Sequence, residues 1–248
     1  MYVLFLLELV MFPSIQYILF DLDSTLYSSH WGLEKAVSSR VNDYIAEYLK
    51  LPREEAWALR VERIKQCGYG TTLEWLRAEQ GLNDEEMEAY FACIHPENEV
   101  DDLPPDPALR SFLISLSSYN IPMAILTNST IEHADRILSK LQVADFFPVI
   151  FDLRKNGFKG KPNPAMFGQV INELGISAPS CLLVDDVPFY LEGYKTIGGT
   201  GVLFDEDNKH PEFPGFRIQK LEELTGLHWP DGTMLIPCQN VLSDTPGV

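Results

Sequence analysis

The spacing of apolar residues changes along this chain, and each change marks a new element. Ile15 to Phe20 is a short apolar run ending in Asp-Leu-Asp, which predicts a buried parallel strand with carboxylates at its C-terminal edge. The period then turns helical. Leu33, Val37, Val41, Ile45 and Leu49 recur every fourth residue, predicting one helix from Leu33 to Lys50. Pro52 opens a second helix ending near Gly68, and Thr71 to Gln80 forms a third that stops at Gly81. Asn83 caps a fourth, with Asp84, Glu85 and Glu86 in its first turn.

Residues 27–100 are therefore helical throughout, and the acidic, Pro-rich stretch Asp101 to Pro107 closes them off. Helices and strands alternate beyond it. Strands are expected at Ile121–Leu126, Val149–Phe151, Cys181–Val184 and finally Gly201–Phe204, with helices between them. This alternation predicts an α/β fold, a doubly wound parallel sheet interrupted by a helical insertion. The expected division is a core of residues 1–26 and 101–225, a helical cap of 27–100 and an irregular tail of 226–248. Trp229, Leu235 and Ile236 make that tail too apolar for a plain linker, leaving open whether it lies on the core.

Charge narrows the functional classes. The formal net charge of −17 repels nucleic-acid polymers and anionic membranes, so neither is an expected partner. A phosphorylated metabolite would be repelled too, unless lysine, Mg²⁺ or backbone N–H groups meet its phosphate. Cys67, Cys93, Cys181 and Cys238 form no CxxC pair, which points to reduced thiols and a cytoplasmic protein. Met1 to Phe12 is apolar, yet it contains Glu8, lacks Lys and Arg, and is too short to span a bilayer. An extra strand, or a true start at Met11, is expected in preference to a secretion signal.

Four features fall at or near strand ends, where open α/β sheets bind ligands. Asp21 and Asp23 can present one carboxylate to an electrophile and another to a leaving group. Thr127-Asn128-Ser129 offers hydroxyls and N–H groups at a helix start. Lys161 offers a point charge in a restrained loop. Asp185-Asp186 is costly after an apolar run without a cation, and its hard oxygens suit Mg²⁺. Each also has a plain structural use, as turn acids, a Ser129 or Thr130 helix cap, or a surface lysine.

Together and in this order the four features resemble the motifs of haloacid dehalogenase-like hydrolases, from about Tyr17 to Phe204. That resemblance implies a Rossmann-like sheet, with a helical cap of the C1 type between the first two motifs. It implies Asp21 as nucleophile, forming an aspartyl-phosphate, and Asp23 as general acid and base. Mg²⁺ would be held by the Asp21 and Asp186 carboxylates and the Asp23 carbonyl, with Asp185 supporting a bound water. Thr127, the Asn128 N–H and Lys161 would bind the phosphoryl group. Tyr190 departs from the pattern, standing where an Asn or Asp is common.

The segments Asp21 to Tyr27 and Tyr69-Gly70-Thr71-Thr72 further resemble pyrimidine 5′-nucleotidase-like proteins. Tyr27 and Tyr69 would then select a nucleoside 5′-monophosphate by stacking on its base. A sugar-phosphate or phosphoglycolate phosphatase is the alternative. A haloacid dehalogenase has no use for Asp23 and the acidic pair, and a non-catalytic protein would not need the whole set.

Overall fold

The computed structural model describes residues 12–237. The N-terminal apolar stretch, apart from Phe12, and Cys238 lie outside them. Six parallel strands form one sheet: β1 (Tyr17–Phe20), β2 (Met123–Leu126), β3 (Ile150–Phe151), β4 (Cys181–Asp185), β5 (Thr200–Phe204) and β6 (Phe216–Ile218). Their spatial order is β3-β2-β1-β4-β5-β6. The chain winds outward from β1 to β2 and β3, then crosses back to place β4 on the other side of β1. That reversal opens a crevice at the C-terminal ends of β1 and β4, the usual ligand site of such sheets.

The inner strands β1, β2 and β4 are buried on both faces, which is why they read as apolar runs rather than alternating ones. Ile18, Phe20, Ile125, Leu182 and Val184 point into one layer. Helices α5 (Pro107–Ser117) and α6 (Ile131–Leu141) cover it through Leu113, Leu116, Ile137 and Leu138. Leu19, Ala124, Leu126, Leu183 and Leu203 point into the other, under α7 (Pro164–Leu174) and α8 (Pro188–Lys195).

Between β1 and β2 lie α1 (Leu33–Leu49), α2 (Arg53–Cys67), α3 (Thr72–Gln80) and α4 (Asp84–Ile94). They carry a third core of their own, built on Val41, Ile45, Leu73, Trp75, Leu76, Phe91 and Ile94. Its helix ends follow local chemistry. The Thr71 hydroxyl accepts from Glu74 N, Gly81 ends α3 in the left-handed conformation, and Asn83 with Glu86 forms a reciprocal capping box.

Two expectations need amendment. The strand series does not end at Phe204, because β6 adds a sixth strand in parallel register with β5. At three residues, with Arg217 in its middle, it carries no apolar run. Residues 227–237 lie on the core: Leu235 and Ile236 are fully buried in the same core cluster as Ile18 and Phe20, and Trp229 stacks on Phe12 at 4.7 Å.

Candidate active site

The register of β1 and β4 sets the centre of the site. Phe20 pairs with Val184, and Asp21 N donates to Val184 O at 2.9 Å, so Asp21 and Asp185 emerge side by side at the switch point. Between them sits the ammonium of Lys161, 2.6 Å from Asp21 Oδ1 and 2.6 Å from Asp185 Oδ2. All three side chains are buried. Asp185 is fully engaged, since its Oδ1 also accepts from Val187 N at 2.9 Å. Asp186, by contrast, makes no hydrogen bond among the described residues, and its carboxylate lines the open cleft.

Oxygens of Asp21, Asp185 and Asp186 lie within 4.8 Å of one another. Three carboxylates against one lysine leave two negative charges when all are ionised. Burial, reinforced by the neighbouring carboxylates, accordingly raises Asp21 well above the ordinary carboxylate range and pushes Asp186 up to about 9. Burial alone would depress Lys161, but Asp185 and Asp21 outweigh it and hold the ammonium charged well above its usual range. A divalent, oxygen-seeking cation fits this donor set in charge and in ligand type. Asp21 and Asp186 would hold it.

Backbone groups complete the floor. The N–H groups of Leu22, Asp23 and Asn128 carry no hydrogen bond among the described residues, and Ser24 turns the chain at φ 60°. The Asn128 side chain clamps the Lys161 backbone, accepting from Lys161 N at 2.7 Å and donating to its carbonyl at 3.1 Å. Thr127 is buried and its hydroxyl accepts from Ser129 N at 3.0 Å, so it shapes this loop from below. Tyr190 lines the cleft with its ring 5.2 Å from the Lys161 ammonium.

Asp23 stands in a network that the sequence reading did not contain. Its Oδ1 accepts from Tyr27 OH at 2.7 Å and lies 2.8 Å from His133 Nε2, while Oδ2 accepts from Ser129 Oγ at 3.1 Å. Behind it, His133 Nδ1 lies 2.6 Å from Glu99 Oε1, and Glu99 also receives His95, Arg136 and Arg40. Burial would depress His133, but Asp23 and Glu99 outweigh it and raise it to about 9. With both ring nitrogens between carboxylates, His133 is a charged donor to each.

The cap closes the cleft from above. Gly70 packs against the loop that carries Lys161: a Cβ there would sit 2.7 Å from the Lys161 carbonyl oxygen. Gly160 is equally constrained, by Thr71 and Asn128. Glu74 fastens the two segments, accepting from Gly70 N at 2.6 Å and Gly160 N at 2.8 Å. The enclosed space is about 380 Å³. Gly70, Thr71 and Thr72 line it, but Tyr69 does not; its hydroxyl donates to Glu79 at 3.2 Å and its ring packs on the cap core. Tyr27 is buried beneath Asp23, with no ring face offered to a base.

Comparison with known proteins agrees with this geometry. Residues 15–192 match the model of the haloacid dehalogenase-like hydrolase family, and the chain belongs to that family. Among curated relatives, a glyceraldehyde 3-phosphate phosphatase of Methanocaldococcus jannaschii is 27% identical, over 85% of this chain and 95% of the relative. A phosphoglycolate phosphatase of Aquifex aeolicus is 26% identical, with coverage of 85% and 95%. The fold is similar to that of the HAD-hydrolase YfnB of Bacillus subtilis, solved with magnesium bound, at TM-score 0.54 and 22% identity over 86% of this chain and 98% of that one. Among the described residues no helix is long and apolar enough to cross a membrane.

Proposed function

We propose that this chain is a Mg²⁺-dependent phosphomonoesterase that hydrolyses a small phosphorylated metabolite through an aspartyl-phosphate on Asp21. The observation that carries the reading is the convergence of Asp21, Asp23, Lys161 and Asp186 on one crevice between β1 and β4. The substrate phosphoryl group would rest against the unengaged N–H groups of Leu22, Asp23 and Asn128. Asp21 then attacks phosphorus along the line to the leaving oxygen, and Lys161 offsets the charge that gathers on Asp21 and the phosphoryl oxygens. Burial would raise Asp23, but the charged His133 and the Tyr27 hydroxyl outweigh it and hold this carboxyl well below its ordinary range. The proton for the leaving oxygen therefore comes from His133 through Asp23, and the water that hydrolyses the acyl phosphate returns one by the same route. Mg²⁺ held by Asp21 and Asp186 would supply neutralisation of the negative charge gathered in the site. Among the described residues Cys67, Cys93 and Cys181 are free thiols, which supports a cytoplasmic setting.

A dehalogenase reading leaves Asp23 and its hydrogen-bonding network without a task, because a halide leaves without a proton. The nucleotidase subtype loses its two stacking candidates, since Tyr27 is bound to Asp23 and Tyr69 to Glu79. The relatives' names favour the smaller phosphate esters that stood as the alternative.

Hydrolysis of para-nitrophenyl phosphate with and without Mg²⁺ tests the reading. Excess EDTA should abolish turnover, Mg²⁺ should restore it, and full activity in EDTA would overturn the metal requirement. Because Asp185 is spent on Lys161 and Val187 N while Asp186 is unengaged, Asp186→Ala should raise the Mg²⁺ concentration for half-maximal activity more than Asp185→Ala.

A further inference from the structure

The chain contains nine arginines, and among the described residues eight of them pair with a carboxylate. Arg60 on α2 is the exception. In a chain carrying 36 acidic residues against 19 basic ones, an arginine without an acid is conspicuous by its position. Arg60 lines the cleft that holds Asp21, Asp23 and Lys161.

Its head group is fixed, but by neutral partners only. Arg60 Nε donates to Thr72 Oγ1 at 2.8 Å, and Nη1 donates to Asn42 Oδ1 at 3.0 Å and Ser38 Oγ at 3.3 Å. Three helices of the cap therefore hold one guanidinium still, while Nη2 carries no hydrogen bond among the described residues. Thr72 lies two residues beyond Gly70, which is pressed against the Lys161 carbonyl, so the guanidinium is tied to the part of the cap that seats on the catalytic loop. The other cleft-lining bases are spent. Lys161 is bound between Asp21 and Asp185, and His95 is bound to Glu99.

We propose that Arg60 is the subsite for a second anionic group of the substrate, a carboxylate, so that the enzyme acts on small phosphorylated carboxylic acids. This rests on the phosphomonoesterase reading. A planar guanidinium held by neutral neighbours keeps its full charge for a ligand, and its fork matches a carboxylate. A chain of net charge −17 needs such a fixed cation to accept a substrate with two anionic ends. A fixed, half-buried charge discriminates against an analogue that leaves it without an ionic partner.

The test compares 2-phosphoglycolate with phosphoglycolamide, its isosteric neutral amide, and with uridine 5′-monophosphate, all in Mg²⁺. The wild-type enzyme should prefer 2-phosphoglycolate over the amide by about ten- to a hundredfold in kcat/KM, the range expected for one charged hydrogen-bonded contact. The difference should appear mainly in KM. Arg60→Gln should bring the ratio close to one, and Arg60→Lys should recover part of it. The wild-type ratio needs no variant to fold, so it stands as an independent readout. A wild-type ratio near one, an unchanged ratio in a folded Arg60→Gln, or a preference for the nucleotide would overturn the inference. Failure of the underlying reading looks different: no ester, para-nitrophenyl phosphate included, would then be hydrolysed.

Discussion

At the residue scale, Asp23 illustrates how the surroundings assign a carboxylate its work. Alone, it is one acid of a DxD turn. In the folded protein three hydroxyl or imidazole donors fix both of its oxygens, and His133 is held charged at its side by Glu99. His133 thus acts as a positioning residue: it touches Asp23, not the cleft. Its replacement should disturb the chemical step more than substrate binding, since the phosphate contacts are made elsewhere. His133→Leu should lower kcat by about 100-fold or more, since general acid–base catalysis contributes roughly 10²–10⁴-fold, with KM nearly unchanged. Steady-state kinetics on para-nitrophenyl phosphate checks this, and an equal loss in a KM-driven pattern would assign His133 to cap seating instead.

That network also shows where the sequence stops being readable. Asp21, Lys161 and Asp186 were legible because each follows a buried strand or sits in a Pro-restrained loop. His133 falls inside α6, whose apolar period is satisfied without it, and Glu99 lies 34 residues earlier in an acidic turn. Nothing in spacing joins them; only the packing of the chain around 95–100 against α6 does. Arg60 was hidden for the same reason, being one more charged residue on an amphipathic helix. Its meaning comes from the absence of an acid beside it.

Among the elements, the helical insertion does more than cover the crevice. Its α2–α3 turn supplies Gly70, Thr71 and Thr72 to the lining, and Glu74 fastens that turn to the Lys161 loop. Periodicity and end signals placed α1, α2 and α3 to within a residue, with Gly68 and Gly81 ending α2 and α3 and the polar Thr71 and Asn83 capping α3 and α4. Which face met the core was not given by periodicity, and Tyr69 accordingly lies on the cap's own core rather than in the cleft. The close approach at Gly70 makes a direct prediction. Gly70→Ala places a methyl against two backbone carbonyls that cannot swing away. The cap should seat imperfectly, lowering kcat/KM about tenfold or more, as sub-ångström misplacement does in preorganised sites. The melting temperature should change by only a few degrees, since the cap core itself is untouched. Wild-type kinetics in that variant would show that the observed seating is not needed for turnover.

For the whole molecule, the sheet order explains why one crevice gathers the chemistry. Only between β1 and β4 do consecutive crossovers leave in opposite directions, so their C-terminal ends stay uncovered by a crossover. Asp21 and Asp185 stand there by register, and the cap inserted after β1 folds back over the same opening. A strongly acidic chain can then bind an anion, because its positive charge is concentrated at Lys161, at Arg60 and at the cation that the carboxylates would hold.

The proposed reaction passes the phosphoryl group through Asp21 in two displacements rather than by direct attack of water. The stereochemical course at phosphorus tests this most directly, using a phosphomonoester made chiral with oxygen isotopes. Each in-line displacement inverts the centre, so transfer to Asp21 and then from Asp21 to an acceptor alcohol should give a new phosphomonoester with net retention at phosphorus. Net inversion would mean a single displacement, and would contradict the role assigned to Asp21.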